Sequence, residues 1–182
     1  MTIACLFPGQ GSQQPGAGVI YRDTPAWEHV ATLSSVMDTD LEFLLLEADA
    51  DELRKTENTQ SVAFCRNWLE WVNICRSENL DTRDDVVFVG HSVGEYSALA
   101  AARALDPLDA ATVVAARGRA MAAACGDVET GMIAISGDGC VSAVDAAMSG
   151  HGYTDWEEAD VTVANVNSPR QVVIAGPVDQ LR

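Results

Sequence analysis

The chain has 182 residues, 48% of them hydrophobic, with 11 Lys and Arg against 27 Asp and Glu and a net charge of −16. That length supports one ordinary domain, or one domain with part of a second, and a core built without cross-links. No run reaches the ~20 apolar residues of a membrane span, the start from Met1 to Gly11 lacks the basic segment of a secretory signal, and a field of this sign repels phosphate backbones and anionic lipid, so neither nucleic acid nor membrane is an expected partner.

Lys55 is the only lysine, a bias of codon usage or of an acidic, salt-adapted surface that says nothing about chemistry. Cys5, Cys65, Cys75, Cys125 and Cys140 are odd in number, and no two have the two-residue spacing of a zinc or redox site. They read as buried free thiols in a reducing cytoplasm.

Ile3 to Phe7 is a short apolar run ending in Pro8-Gly9-Gln10-Gly11, a buried strand entering a glycine-rich turn. From Thr24 to Cys75 the pattern is helical, with Trp68, Leu69, Trp71, Val72 and Cys75 recurring as a core-facing stripe. Asn79 to Asp85 is a polar loop. Val86 to Val89 is a continuous apolar strand of the kind buried on both faces of a parallel sheet. Gly90-His91-Ser92-Val93-Gly94 follows, then a helix from Glu95 to Ala104. Asp106-Pro107 breaks it and can cap the next helix, Leu108 to Ala124.

After Gly126 the texture changes. Gly131 to Ile135 reads as a strand, Cys140 to Met148 as a helix, and Gly150 to Glu158 as a polar loop. Val161 to Val166 and Gln171 to Ala175 read as two strands joined by the turn Asn167 to Arg170. Pro177 to Arg182 reads as the first turns of another helix. This part wants one more strand to complete a split βαβ unit, so it reads as cut off mid-element.

A serine flanked as Gly-x-Ser-x-Gly, after an apolar strand and before a helix, is a nucleophile elbow. Ser92 is thrust out on the sharp turn, and the helix behind it offers unpaired N–H groups and a positive dipole end to an oxyanion. His91 is its neighbour in sequence, so on a tight turn its side chain points elsewhere and reads as structural. His29 sits in a helical segment and His151 in a polar loop, with nothing marking either as a base.

Phe7-Pro8-Gly9-Gln10-Gly11-Ser12-Gln13, Gly90-His91-Ser92-Val93-Gly94-Glu95-Tyr96-Ser97-Ala98, Arg117-Gly118, and Asn165 to Gly176 together resemble the malonyl-CoA:acyl carrier protein transacylases, including the acyltransferase domains of polyketide synthases. Thr59-Gln60-Ser61 is a weaker match to a segment of the same family. The resemblance implies Ser92 as the nucleophile that takes an acyl group from coenzyme A and passes it to the phosphopantetheine thiol of an acyl carrier protein. It implies backbone N–H groups of Gln10 and Val93 as the oxyanion hole, and Arg117 as the fork that binds the free carboxylate of the malonyl group. No bound cofactor is implied, and the coenzyme A thioester is the substrate. Read without the resemblance, Arg117 would be a surface helix arginine, as Arg119 is taken to be.

The implied architecture is an α/β-hydrolase-like large domain, begun by residues 1–126, with an inserted ferredoxin-like small domain begun by residues 127–182, the whole apparently truncated. The family's catalytic histidine follows its serine at a spacing that falls beyond Arg182. The expected partners are therefore malonyl-CoA, an acyl carrier protein and a missing C-terminal half, and the segment without that half is expected to be inactive. Two rivals remain at this point. One is a serine esterase or thioesterase with the same elbow; the other is an inactive split half acting as a binding module.

Overall fold

The computed structural model describes residues 2–11, 13–126, 128–150 and 161–181. It is an α/β chain in two compact units, Met1–Ala124 and Cys125–Arg182.

In the first unit, β1 (Ile3–Phe7) and β2 (Val86–Gly90) pair in parallel, with Ile3 opposite Val86 and Phe7 opposite Gly90. A parallel pair needs a long crossover, and the segment between them supplies one made of α1 (Glu28–Met37), α2 (Leu41–Leu46), α3 (Ala50–Arg54) and α4 (Thr56–Glu78). After β2 come α5 (Gly94–Ala101) and α6 (Pro107–Cys125). Leu33, Met37, Leu41, Leu45, Phe64 and Leu69 are fully buried in the core these helices enclose.

The stretch from Thr24 to Cys75, read as helical, is thus resolved into four helices, the last running on to Glu78, and the breaks between them have local causes. Asp38 takes a left-handed conformation and ends α1, its N–H donating to the Ser34 carbonyl. Asp40 caps α2 by accepting from the Phe43 N–H, and Asp49 caps α3 by accepting from the N–H groups of Asp51 and Glu52. α4 ends at Asn79, again left-handed, and the expected loop beyond it contains a 3₁₀ turn, Leu80–Thr82. The α6 cap is as expected: the Asp106 carboxylate accepts from Leu108 N–H at 2.8 Å, with Pro107 in the first helical position.

One face of the strand pair is well covered. Phe7 meets Trp71 edge-on at 6.3 Å, and Trp71 meets Phe88 at 5.3 Å, with Ile3, Cys5, Ala98 and Ala101 in the same cluster. Alternate residues point the other way, and there Leu6 is 72%, Val87 49% and Val89 47% exposed. The expectation of burial on both faces is not met within this unit: α4 and α5 pack on one side of β2, and no described element of the unit covers the other. Tyr21 is tied to α4 by donating from its hydroxyl to the Glu70 carboxylate; burial first, and that bond second, push its pKa up to about 12.

The second unit is an antiparallel sheet in the order β3-β5-β4, from β3 (Thr130–Ser136), β4 (Thr162–Ser168) and β5 (Gln171–Pro177), with α7 (Cys140–Gly150) packing Cys140 and Val144 against Val172. The hairpin β4–β5 turns at Pro169-Arg170. Among the described residues no helix forms from Pro177, contrary to expectation. Pro177 is the last rung of β5, opposite Thr130, and the chain then makes a turn in which the N–H groups of Gln180 and Leu181 donate to the Pro177 carbonyl. α7 runs on to Gly150; the rest of the expected polar loop, with His151, lies outside the described residues.

All five cysteines are free, with Cys65 and Cys140 buried and the other three half-buried. Burial pushes the Cys65 thiol up to about 12, which keeps it protonated and unreactive. Among the described residues no helix is long and apolar enough to cross a membrane.

Candidate active site

β2 ends at Gly90 and α5 begins at Gly94, so the chain reverses from strand to helix in three residues. Ser92 carries the turn at φ +54°, in the left-handed region that costs a non-glycine residue roughly 1 kcal/mol or more. The turn is closed by Gly94 N–H donating to His91 O at 2.9 Å and Glu95 N–H to Ser92 O at 3.0 Å, while His91 N–H bonds back to Phe7 O at 3.1 Å. The two glycines are steric requirements. A Cβ on Gly90 would lie 2.3 Å from the Gly94 carbonyl oxygen, and one on Gly94 would lie 2.1 Å from that of Phe7. Gly94→Ala is accordingly expected to lower stability by about 3 kcal/mol or more, since backbone rather than a flexible side chain must yield. Chemical denaturation of the variant checks this, and a loss under 1 kcal/mol would contradict it.

The glycine-rich loop after β1 lies against this elbow. A Cβ on Gly9 would sit 2.7 Å from the His91 carbonyl oxygen and 3.4 Å from Ser92 Cβ. The loop is pinned from α4, where buried Asn67 donates from Nδ2 to the Pro8 carbonyl at 3.0 Å and to Ser97 Oγ of α5 at 3.3 Å. Gly9, the neighbour of Gln10, is thereby held against the elbow although the two segments are far apart in sequence.

Arg117 arrives from α6. Gly118, the next residue, is buried, and a Cβ there would lie 3.2 Å from Glu57 Cα and 3.3 Å from Gln60 Cβ, so α6 and α4 touch closely at this point. Arg117 Nη2 donates to Ser92 Oγ at 3.2 Å, and its Nη1 donates to Gln60 Oε1. Gln60 in turn donates from Nε2 to Gln10 Oε1 at 2.6 Å. Gln10, Gln60, Arg117 and Ser92 therefore form one hydrogen-bonded chain drawn from four elements.

Val93 N–H lies at the amino end of α5, where helix N–H groups have no intrahelical acceptor. Arg119 is an exposed helix residue, as expected, reaching the Met37 carbonyl at 3.4 Å. Among the described residues no histidine bonds to Ser92: His29 meets Trp68 edge-on at 6.0 Å, and the Nδ1 of exposed His91 faces Gly9. Among the same residues no set of three His, Cys, Asp or Glu is placed to hold a metal ion.

Gln60 and Asn67 carry no role in the reading of the sequence beyond the weak match at Thr59-Gln60-Ser61. The available signal was a run of polar residues inside a helical apolar stretch. Thr59, Gln60, Ser61 and Asn67 are all buried, and buried polar side chains need partners.

A family model described as acyl transferase domain matches residues 5–182. The chain is 37% identical to a malonyl CoA-acyl carrier protein transacylase of Haemophilus influenzae, over 96% of this chain and 54% of that protein. It is 32% identical to the polyketide biosynthesis malonyl CoA-acyl carrier protein transacylase PksC of Bacillus subtilis, over 98% of this chain and 58% of that protein. A crystal structure of MCAT from Mycobacterium tuberculosis superimposes with a TM-score of 0.84 at 33% identity, covering 100% of this chain and 57% of that one. The chain thus spans little more than half the length of these relatives.

Proposed function

The chain belongs to the acyl transferase domain family, and from that premise we propose that it carries the nucleophile, oxyanion donors and carboxylate fork of a malonyl transferase. In this reading Ser92 Oγ attacks the thioester carbonyl of malonyl-CoA. A C–O bond forms, the C–S bond breaks, and coenzyme A leaves as its thiol with the serine's proton. The phosphopantetheine thiol of an acyl carrier protein then attacks the acyl-Ser92 ester, and the serine recovers its proton. Backbone N–H groups of Gln10 and Val93 stabilise the tetrahedral oxyanion in both steps. The proton passes through a histidine supplied from outside the described residues, since Ser92 meets none within them.

The observation that carries this reading is the guanidinium of Arg117 at 3.2 Å from Ser92 Oγ. In a malonyl thioester the carboxylate is two bonds from the reacting carbonyl carbon, so its partner must stand beside the nucleophile. An esterase or thioesterase with the same elbow has no use for a cation there. The architecture fits an α/β-hydrolase-like large domain with a ferredoxin-like small domain: the elbow joins a parallel strand to a helix, and the order β3-β5-β4 with α7 is that of a split βαβ unit short of its fourth strand.

The test is to incubate the protein, with the complete catalytic machinery present, with malonyl-CoA labelled in the malonyl group and a phosphopantetheinylated acyl carrier protein. Label is expected on the carrier thiol. Release of free malonate at a rate indifferent to the carrier would instead favour the esterase.

A further inference from the structure

Resting on the reading of Arg117 given above, we infer that Gln60 is the positioning residue that sets the site's preference for an anionic acyl group. It aims the guanidinium with a neutral amide and leaves the guanidinium's charge available to the substrate.

Gln60 lies on α4 and is 0% exposed. A glutamine amide has one oxygen that accepts and one NH₂ that donates. Here the oxygen accepts from Arg117 and the NH₂ donates to Gln10 Oε1. The cation fixes that orientation, because the flipped amide would set NH₂ against N–H. Arg117 thereby also dictates, through Gln60, which end of the Gln10 side chain faces inward. One buried amide holds both the carboxylate fork and the loop that carries an oxyanion donor.

The neutrality of this partner is the second point. The chain has 27 acidic residues against 11 basic ones, yet among the described residues no carboxylate pairs with Arg117; its side-chain partners are Gln60 and Ser92. A glutamate at the Gln60 position would be nearly isosteric and would bind the guanidinium more strongly. It would also cancel the charge that a malonyl carboxylate needs and place a like charge beside it. An amide holds the fork in place and leaves N–H groups and net charge unclaimed.

Two probes that bind without transfer test this: malonyl-CoA and acetyl-CoA analogues in which a methylene replaces the thioester sulfur. Calorimetry measures the affinity of each for the wild type, Gln60→Glu and Gln60→Met, after each protein is shown to melt cooperatively. The wild type is expected to prefer the malonyl probe. Gln60→Glu is expected to lower the malonyl-to-acetyl affinity ratio about tenfold or more. Gln60→Met, which keeps the volume and removes the acceptor, is expected to lower the ratio by a smaller factor. A site that has merely collapsed weakens both probes alike, so the ratio separates positioning from structural damage. If the wild type shows the preference and Gln60→Glu keeps it, the role of Gln60 is overturned and that of Arg117 stands. Should Gln60→Glu fail to fold, an unchanged ratio in Gln60→Met overturns it equally. If the wild type shows no preference, the reading of Arg117 falls, and this inference with it.

Discussion

Ser92→Ala is expected to leave a folded protein that forms no acyl-enzyme. With the complete catalytic machinery present, peptide mapping after incubation with malonyl-CoA should find the adduct on Ser92 in the wild type and on no residue in the variant, and transfer to the carrier should fall on the order of 10⁴-fold or more. The size follows from what the elbow does. Strand and helix are joined so tightly that Ser92 is held at φ +54°, its Oγ beside the Arg117 guanidinium and its Cβ facing Gly9 of the loop after β1. No other hydroxyl among the described residues shares those neighbours. Alanine in the same backbone conformation pays a similar steric penalty, so stability should change by less than about 1 kcal/mol. A thermal melt therefore separates loss of the nucleophile from loss of the fold. An adduct mapped elsewhere, or full labelling of the variant, would remove Ser92 from the mechanism.

The elbow was legible in the sequence because everything that makes it is local. An apolar strand, two glycines at fixed offsets and a helix follow one another within a few residues, and the Asp106-Pro107 cap is equally short-range. The breaks at Asp38, Asp40 and Asp49 are also written locally, in one left-handed residue and two capping aspartates, but a helical pattern taken over Thr24 to Cys75 as a whole does not mark them. The open face of β2 could not be read from Val86 to Val89. A run of apolar residues states that burial is favourable and does not state how many layers supply it; here Leu6, Val87 and Val89 keep their apolar character without cover from any described element of their own unit. Pro177 misled for a related reason. Proline suits the first turn of a helix and equally the last residue of a strand, beyond the rungs where its missing N–H is needed, and only the pairing with Thr130 decides between them.

The network at the site was less legible still, because it is tertiary. Nothing in the helical pattern of α6 distinguishes Arg117 from Arg119. The difference arises from rotation and contact. Gly118 brings α6 against Gln60 of α4, which turns Arg117 toward the elbow and leaves Arg119 on the surface. The resemblance to a family located Arg117, and the geometry adds what it touches. Gln60 was visible only as part of a short polar triplet, since its significance depends on two partners, Gln10 from β1's loop and Arg117 from α6, and through Arg117 on the elbow.

Arg117→Ala is expected to cut malonyl transfer by about 10²-fold or more in kcat/KM, on the basis that charged hydrogen bonds contribute roughly 1.5–3 kcal/mol each. Acetyl transfer should rise relative to wild type. The asymmetry is the informative part. For a malonyl thioester the variant removes a planar fork able to take a carboxylate through two parallel bonds. For an acetyl thioester the wild-type guanidinium is left half-buried with its remaining donors unsatisfied, and the variant relieves that cost. Arg117→Lys should fall between the two, keeping the charge and losing the fork. The contact with Ser92 Oγ allows a competing account in which Arg117 acts mainly on the nucleophile, polarising the hydroxyl whatever the acyl group. That account predicts equal losses for malonyl and acetyl transfer and an unchanged ratio. The carboxylate account predicts a ratio that falls by the full 10²-fold, most of it appearing in KM for the malonyl substrate if the pairing is made equally in ground and transition states. Steady-state kinetics with both thioesters, at saturating carrier protein and with the complete catalytic machinery present, decide between the two. An unchanged malonyl-to-acetyl ratio would take the carboxylate role from Arg117 and return the esterase reading of the elbow to contention.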